Sequence, residues 1–189
     1  MVLGSHNSWS YLRPKKWWMR LFRFAAQCQD VDIKTQCEEY GVRCFDLRVR
    51  FNHNQLIVAH GNAEYDITEE QLFKDLAYLN DRDCYLRILL ECRNKKPTEA
   101  NIQSFVNLCI YLEDRYPRLR LWCGRSLYDW TVVYPMPYYP TCEEKYASVC
   151  SPKLIDDWYP RIYAKLNNKN IIKEGTDLDI LLIDFVNYT

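Results

Sequence analysis

Short apolar runs alternate with stretches of helical periodicity along most of this 189-residue chain. Runs of strand length that are rich in β-branched and aromatic residues predict β-strands. These runs are "VRCFDLRVRF" (42–51), "QLIVAHG" (55–61), "CYLRILLEC" (84–92), "LRLWCG" (119–124) and "DILLIDFVN" (179–187). The run at 84–92 is apolar enough to be buried on both faces, which is usual for strands of a parallel sheet.

Helical patterns lie between these strands. In "DITEEQLFKDLAYLN", Thr68 is placed to cap a helix, and Gln71 three residues later completes the capping-box pattern. Apolar residues share one face of this helix, namely Leu72, Leu76 and Leu79. A second helix is predicted to begin after Pro97 and Thr98.

The later part of the chain contains more prolines. Ser151 and Pro152 predict the start of a third helix, which Pro160 breaks or kinks, and "TVVYPMPYYP" is expected to form a loop. Strands that alternate with helices predict an α/β fold with a parallel sheet. The pattern alone is compatible with both an open doubly wound sheet and a small closed barrel. We expect residues 1–189 to form one domain.

Composition and charge narrow the class of protein. Hydrophobic residues make up 48% of the chain and charged residues 26%, so a folded domain with a sizeable core is expected. The net charge is zero, which argues against a protein that binds nucleic acid through a basic face. A phosphate site built from one or two arginines remains compatible with this balance.

Nine cysteines are present, without a C-x-x-C pair or a zinc-ligand spacing. Several lie in apolar runs, so we expect mostly free, buried thiols in a reducing compartment. The start "MVLGSHNS" lacks the features of a secretory signal, and no stretch has the roughly 20 apolar residues of a membrane span. If the chain is complete, these features predict a cytoplasmic protein.

Residues suited to phosphodiester chemistry lie at or just after predicted strands. His6 stands in "GSHNS", Asp46 and Arg48 in "FDLRV", and His60 in "AHG". Residues two apart on a strand point to the same face. One neutral histidine can accept a proton from an attacking hydroxyl, a protonated one can donate to the leaving oxygen, and an arginine can bind the phosphate. Taken singly, each residue is more often structural.

Together these motifs resemble a known family. "GSHNS", "QCEEYGVRCFDLRVRF" and "LIVAHG" are similar, in order and spacing, to the X-type catalytic domain of phosphatidylinositol-specific phospholipase C, especially its bacterial and X-domain-only members. The resemblance covers about residues 4 to 95 and resumes at "LLIDFVNY", while 125–175 matches nothing in it. It implies a small, irregular TIM-like (β/α) barrel with its site at the carboxyl ends of the strands.

The resemblance also implies a role for each matching residue. His6 matches the general base that deprotonates the inositol 2-hydroxyl, which then attacks phosphorus to release diacylglycerol and form inositol 1,2-cyclic phosphate. His60 matches the general acid that protonates the leaving glycerol oxygen. Arg48 matches the phosphate-binding arginine, Asp46 the acidic residue that positions this site, and Asp184 the carboxylate that orients the base.

Two positions depart from the metal-free members of that family. Asn7 stands where those members have aspartate, and Glu91 stands where they have lysine and calcium-dependent members have a ligand. Asn7 and Glu91 are therefore expected to line the substrate site beside Arg48, or to form a calcium site with Asp46. The charge of Arg48 disfavours a neighbouring cation, so we expect no metal. The simpler role for Glu91 is an ion pair with Arg48.

The segment "KKWWMRLFRFAA" (15–26) mixes basic and aromatic residues. Such a stretch can lie in a membrane interface, which would make Trp17, Trp18 and Phe22 peripheral contacts with lipid. The alternative is that these rings cover one end of the barrel.

Two other functions stay open at this point. A phosphodiesterase acting on glycerophosphodiesters or sphingolipids shares the barrel and paired histidines, although it usually shows His-Arg-Gly near its start and an acidic metal cluster. A binding or structural module that keeps the barrel without useful catalysis is the other alternative, because a fold does not set a function.

Overall fold

The computed structural model describes residues 1–53, 55–91, 97–122, 142–149 and 159–189. Within these ranges the strands are β1 (Val2–Ser5), β2 (Cys44–Asn52), β3 (Gln55–His60), β4 (Ala63–Glu64), β5 (Tyr85–Leu90), β6 (Arg120–Trp122), β7 (Tyr146–Val149) and β8 (Ile180–Ile183). The α-helices are α1 (Arg23–Ala26), α2 (Ile33–Glu38), α3 (Glu69–Asn80), α4 (Glu99–Arg115) and α5 (Pro160–Glu174). Short 3-10 helices span Ser8–Tyr11, Trp17–Arg20, Gly175–Asp177 and Val186–Tyr188.

A parallel sheet forms the centre of the molecule, with neighbouring strands in the order β7-β8-β1-β2-β5-β6. The hairpin of β3 and β4 adds antiparallel strands beside β2. Helices follow several of the parallel strands, and the sheet curls into a half-barrel. The predicted TIM-like α/β class is therefore confirmed.

The long strand β2 is shared by three neighbours. β5 pairs with one edge of β2 from Cys44 to Val49. β1 pairs at Cys44 and Phe45 and β3 pairs from Val49 to Asn52, so these two strands must share the other edge. β1 arrives from one direction and β3 from the other. His6 and His60, which lie at their carboxyl ends, therefore meet beside residues 46–48.

Apolar residues form two clusters. The larger one contains buried residues of the helices and of the sheet, among them Phe45, Leu86 and Phe105. The smaller one contains Cys44, Trp122, Ile180 and Leu182. Directly paired residues project from the same face of a sheet, and the register aligns Asp46 with Arg87 and Trp122. The face with the smaller cluster is thus the one that carries Asp46.

The predicted helix starts are confirmed where the structure describes them. The Thr68 hydroxyl accepts a hydrogen bond from the backbone N–H of Gln71 at 3.1 Å. Thr98 does the same for Asn101 at 3.2 Å. The Gln71 side chain donates to Asp75 at 3.0 Å, so only half of the predicted capping box forms. Pro160, which the sequence predicts to break or kink a helix, is instead the first residue of α5, where its missing N–H costs no helical hydrogen bond.

One predicted strand is shorter than expected. The run at 179–187 predicts a single strand, but β8 ends at Ile183 and a 3-10 helix covers Val186–Tyr188. Phe185 has φ 48°, a left-handed conformation, and its N–H donates to the Cys28 carbonyl at 2.6 Å. This turn leaves Asp184 directly after the strand. The predicted features at Ser151, at Pro152 and in "TVVYPMPYYP" lie outside the described residues.

Cysteines of the described residues have free thiols, and all but Cys142 are buried; they are Cys28, Cys37, Cys44, Cys84, Cys109 and Cys142. Their burial agrees with the expectation that most act as small apolar side chains. Within the part of the chain that the structure describes, the helices are too short or too polar to cross a membrane.

Gly4 allows a close approach of strands, and its replacement tests this packing. A Cβ at Gly4 would lie 3.1 Å from Cys44 Cβ and 3.1 Å from Leu182 Cδ2. Gly4→Val should lower the free energy of unfolding by about 1–3 kcal/mol because it overpacks this face. Urea denaturation measures the loss, and Gly4→Ala should give a smaller one. A valine variant as stable as the wild type would contradict this packing.

Candidate active site

His6 lies immediately after β1 and is held at both ring nitrogens. Its Nδ1 donates to Asp184 Oδ1 at 2.7 Å. Its Nε2 lies 2.6 Å from Nη2 of Arg48. Since arginine can only donate hydrogen bonds, Nε2 accepts and carries no proton. The ring is therefore the neutral tautomer with its proton on Nδ1, which is the form a general base needs.

Arg48 connects the two carboxylates of the site. Its Nε donates to Asp46 Oδ2 at 3.2 Å, and its Nη1 lies 3.7 Å from Glu91 Oε2. The expected ion pair between Arg48 and Glu91 is therefore present in the structure. The backbone N–H of Asn7 also donates to Asp46 Oδ2, at 2.9 Å. Asp46 is fully buried, whereas 15% of the Arg48 side chain is exposed.

The charges in this cluster stabilise one another. Burial would raise the pKa of Asp46, but the charges of Arg48 and Arg87 outweigh it and hold that pKa far below its usual range. Burial would lower the pKa of Arg48, but Asp46 and Glu91 outweigh it and raise that pKa. Asp46 is thus a carboxylate, and Arg48 a cation, throughout the neutral range.

His60 lies at the end of β3 and faces His6. Its Nδ1 donates to the carbonyl oxygen of Ala26 at 3.1 Å, so Nε2 is the nitrogen that is left for chemistry. The two imidazole centroids are 6.2 Å apart, with the rings nearly perpendicular at 87°. Burial, followed by the charge of Arg48, lowers the pKa of His60 to about 3. His60 is therefore neutral at pH 7 in the resting site.

Buried amides fix the strand ends that carry His6 and Asp184. Gln29 donates through Nε2 to the carbonyls of His6 and Ile183, both at 3.0 Å, and its Oε1 accepts from the Val186 N–H at 3.1 Å. Asn168 of α5 donates to the carbonyl of Asp184 at 2.8 Å. No motif points to Gln29 or Asn168, because their partners are far away in sequence.

Arg87 is a residue of the site that the sequence analysis missed. It lies on β5 next to Asp46 in the register, is 4% exposed, and its Nε is 3.8 Å from Asp46 Oδ1. A signal for it was present, since an arginine inside the apolar run "CYLRILLEC" needs a buried partner. The aligned position on β2 is Asp46, which is that partner.

The predicted site residues come together to different degrees. A single cluster contains His6, Asp46, Arg48, His60 and Asp184. Glu91 borders it through Arg48, and Asn7 borders it through its backbone N–H. The Asn7 amide points elsewhere, with Nδ2 3.9 Å from Cys28 Sγ. The guanidinium of Arg48 lies between Asp46 and Glu91.

The basic and aromatic segment lies beside this cluster with its rings in solvent. Trp17 is 70% exposed, Phe22 51% and Trp18 43%. These rings therefore do not form a buried cover over the sheet. The segment runs into α1, whose last residue, Ala26, accepts the hydrogen bond from His60. The exposed segment is thus connected to the histidine pair through Ala26.

Fold and site together define a class, a TIM-like α/β protein with paired histidines and an arginine–carboxylate cluster at the carboxyl ends of its strands. Its fold is similar to that of the phosphatidylinositol-specific phospholipase C from Listeria monocytogenes, with a TM-score of 0.63 and 15% sequence identity. This match covers 97% of the present chain and 87% of that chain. The fold implied by the sequence resemblance is therefore confirmed.

A phosphatidylinositol-specific phospholipase C from S. aureus is also similar, with a TM-score of 0.44 and 20% identity, over 65% of this chain and 46% of that chain. No protein-family model matches the chain. No curated protein matches it either.

The low pKa of His60 makes stability depend on pH. An unfolded histidine titrates near pH 6.5, so between pH 7 and about pH 5 the unfolded chain gains a proton that the folded chain does not. The free energy of unfolding should fall by about 2 kcal/mol more in the wild type than in His60→Asn over this interval. Urea denaturation at both pH values measures the difference.

His53 provides the matched control for this measurement. It is exposed in a turn, so His53→Asn should retain the pH dependence of the wild type. Equal pH dependence in the His60 variant and the wild type would contradict the lowered pKa, because it would mean that His60 binds a proton as readily in the folded site as in the unfolded chain.

Proposed function

We propose that this protein is a phosphoric diester hydrolase or lyase of the phosphatidylinositol-specific phospholipase C type. The observation that carries the proposal is the histidine pair. His6 has a carboxylate behind Nδ1 and an arginine at Nε2, and His60 lies 6.2 Å away between ring centroids. At this distance one phosphodiester can contact both Nε2 atoms. The fold shared with the Listeria enzyme is consistent with this chemistry.

The proposed reaction is an intramolecular transphosphorylation. Nε2 of His6 takes the proton of the inositol 2-hydroxyl, and that oxygen forms a bond to the adjacent phosphorus. The bond from phosphorus to the glycerol oxygen breaks, and His60 donates a proton to the leaving oxygen. The products are diacylglycerol and inositol 1,2-cyclic phosphate. Asp184 stabilises the imidazolium that forms at His6, and Arg48 stabilises charge at phosphorus.

Substrate binding has to release His6 from Arg48. In the resting site the guanidinium donates to the same Nε2 lone pair that the reaction uses. Phosphate oxygens are better acceptors for a guanidinium than a neutral imidazole, because their negative charge strengthens the hydrogen bond. The bound phosphate therefore draws Arg48 toward itself and frees Nε2 for the hydroxyl.

The same phosphate supplies the condition that His60 needs to act as an acid. His60 is neutral in the resting site because desolvation and the charge of Arg48 both disfavour its protonated form. A phosphate anion on Arg48 compensates that charge and raises the pKa of His60. The acid thus gains its proton when the substrate binds.

We propose that the reaction uses no metal. The support is the position of the Arg48 guanidinium between Asp46 and Glu91, where it already supplies the positive charge. A calcium site formed by Asn7, Asp46 and Glu91 is the alternative, and it requires Arg48 to leave both carboxylates. A cation close to a guanidinium is electrostatically disfavoured.

The central experiment measures cleavage of phosphatidylinositol by the wild type and by three matched variants. His6→Asn and His60→Asn should each lose about 10²–10⁴-fold in rate, the usual worth of a general acid or base. His53→Asn should keep full activity, since this histidine lies in an exposed turn. Detection of a cyclic inositol phosphate identifies the phospholipase C type of reaction.

Other outcomes of this experiment would change the proposal. Activity that survives both histidine substitutions would remove the assigned roles. Loss of activity in the presence of a calcium chelator would establish the calcium alternative. Cleavage of glycerophosphodiesters or sphingolipids without a cyclic inositol product would favour that phosphodiesterase class. Absence of any cleavage would favour the binding or structural module.

The exposed aromatic segment is proposed as a peripheral contact with the membrane that holds the substrate. Trp17, Trp18 and Phe22 supply apolar rings, and Lys15, Lys16 and Arg20 supply positive charge next to them. Rings in the headgroup layer and cations toward anionic lipid are the usual arrangement of interfacial segments. Its end at Ala26, which hydrogen-bonds His60, would place the site at the lipid surface.

A double substitution tests this contact. Trp17→Ala/Phe22→Ala should weaken binding to vesicles of phosphatidylcholine and phosphatidylinositol by roughly tenfold or more, because two interfacial rings are lost. Cleavage of a water-soluble inositol phosphodiester should stay unchanged. Ile110→Ala, which removes an equally exposed apolar side chain from α4, is the control. Equal vesicle binding by wild type and double variant would exclude these rings as the contact.

A further inference from the structure

Cys28 lies next to the His6–Asp184 pair, and its backbone is fixed from two sides. Its N–H donates to Ser10 Oγ at 2.9 Å, and its carbonyl accepts from the Phe185 N–H at 2.6 Å. The thiol is thus held between the segments that follow β1 and β8. The mechanism above uses His6 and Asp184 and leaves Cys28 without a part.

The three side chains form a group of metal-ligating atoms. His6 Nδ1, Cys28 Sγ and an Asp184 carboxylate oxygen all lie within 4.8 Å of one another, and all three residues are buried. Among the described residues, this is the group of three His, Cys, Asp or Glu side chains whose ligand atoms lie close enough together to hold a metal ion. An imidazole, a thiolate and a carboxylate are common zinc ligands, and zinc often has three protein ligands and one further position.

We propose that His6, Cys28 and Asp184 form an inhibitory site for a thiophilic divalent metal ion, with zinc as the matching ion. The hydrogen bond between Nδ1 and Oδ1 would be replaced by bonds from both atoms to the metal. Metal bonds of about 2.0–2.3 Å require His6 Nδ1 and the Asp184 oxygen to lie somewhat closer to Cys28 Sγ. They also require Nδ1 and Oδ1, now 2.7 Å apart, to move slightly further from each other. Small side-chain rotations provide both changes.

Inhibition follows from where the protons go. Binding displaces the proton of the Cys28 thiol and the proton on His6 Nδ1. One of these protons binds to Nε2, because a ring coordinated through Nδ1 is neutral only with its proton there, and the other leaves to solvent. A protonated Nε2 can neither accept from Arg48 nor take the proton of a substrate hydroxyl. The inhibition therefore rests on the proposed function, whereas the metal site does not.

Neighbouring groups of ligand type are less suited to a cation. Asp46 and Glu91 are separated by the Arg48 guanidinium. Another thiol near polar groups is that of Cys37, whose Sγ accepts a hydrogen bond from Arg43 Nη1 at 3.3 Å. A metal ion between Asp46 and Glu91, or beside Cys37, would lie directly against a guanidinium. At the Cys28 site the nearby guanidinium of Arg48 contacts the opposite nitrogen of the His6 ring, Nε2, and not the proposed ligand atom Nδ1.

The experiment measures metal binding and activity separately on the purified full chain. Zinc is titrated against a chromophoric zinc indicator, and cobalt(II) is added to detect a thiolate-to-cobalt absorption band. The wild type should bind one zinc ion and show the cobalt band. Cys28→Ser and Cys28→Ala should bind zinc roughly tenfold more weakly or worse and lose the band. Circular dichroism checks that each Cys28 variant is folded. If one of them is not, the other still tests the site.

Matched cysteine variants make the assignment specific. Cys109→Ser replaces another buried cysteine, on α4, and Cys37→Ser removes the thiol beside Arg43. Both should bind zinc and show the cobalt band as the wild type does. Zinc binding that persists in both Cys28 variants, or that disappears in Cys37→Ser, would overturn the proposed site.

Activity assays then test the inhibition. Zinc should inhibit the wild type with slow onset, because the ligands are buried, and a chelator should restore activity. The Cys28 variants should tolerate roughly tenfold more zinc or greater, in line with their weaker binding. A chain that binds zinc through Cys28 but cleaves no phosphodiester would retain the metal site and refute the proposed function. A chain that cleaves the phosphodiester but does not bind zinc would support the proposed function and refute the metal site.

Discussion

The site depends on the way in which β1 and β3 share one edge of β2. β5 occupies the opposite edge from Cys44 to Val49, so the two other partners can pair only at the two ends of the free edge. A parallel strand and an antiparallel strand that approach along one edge bring their carboxyl ends together. His6 and His60 follow from this arrangement, and residues 46–48 of β2 lie between them.

Burial of charge then determines how these residues are arranged. Asp46 is fully buried, and an isolated carboxylate there would be strongly destabilising. Arg48, Arg87 and the Asn7 N–H compensate it, and Arg48 in turn contacts Glu91 and His6. The charged groups therefore hold one another in place. In the resting site, Arg48 donates a hydrogen bond to the Nε2 lone pair of His6. In the proposed reaction, this lone pair becomes free when Arg48 binds a phosphate instead.

The sequence predicts the parts of this arrangement that are encoded locally. A period of two places Asp46 and Arg48 on one face of a strand, and Thr68 and Thr98 cap helices as their side chains allow. The ends of β1 and β8 are fixed by hydrogen bonds of Gln29, Asn168 and Phe185 to residues outside their own local segments, which no local pattern reveals. For that reason the early end of β8 and the position of Cys28 were unexpected, whereas Arg87 had a readable signal.

The proton on the His6 ring is the variable that the surrounding residues control. Asp184 holds it on Nδ1 and Arg48 keeps Nε2 free of it, so the ring is prepared as a base before any substrate binds. A change in the contacts at Nε2 and a change in the contacts at Nδ1 would affect the ability of His6 to accept a proton in opposite ways. In the proposed reaction, a phosphate that binds Arg48 would free Nε2 without moving the proton, whereas a metal ion at the proposed site would place the proton on Nε2. The carboxylate that orients His6 in the proposed reaction therefore lies at the same nitrogen, Nδ1, that the proposed metal site uses, and the Cys28 thiol completes that site.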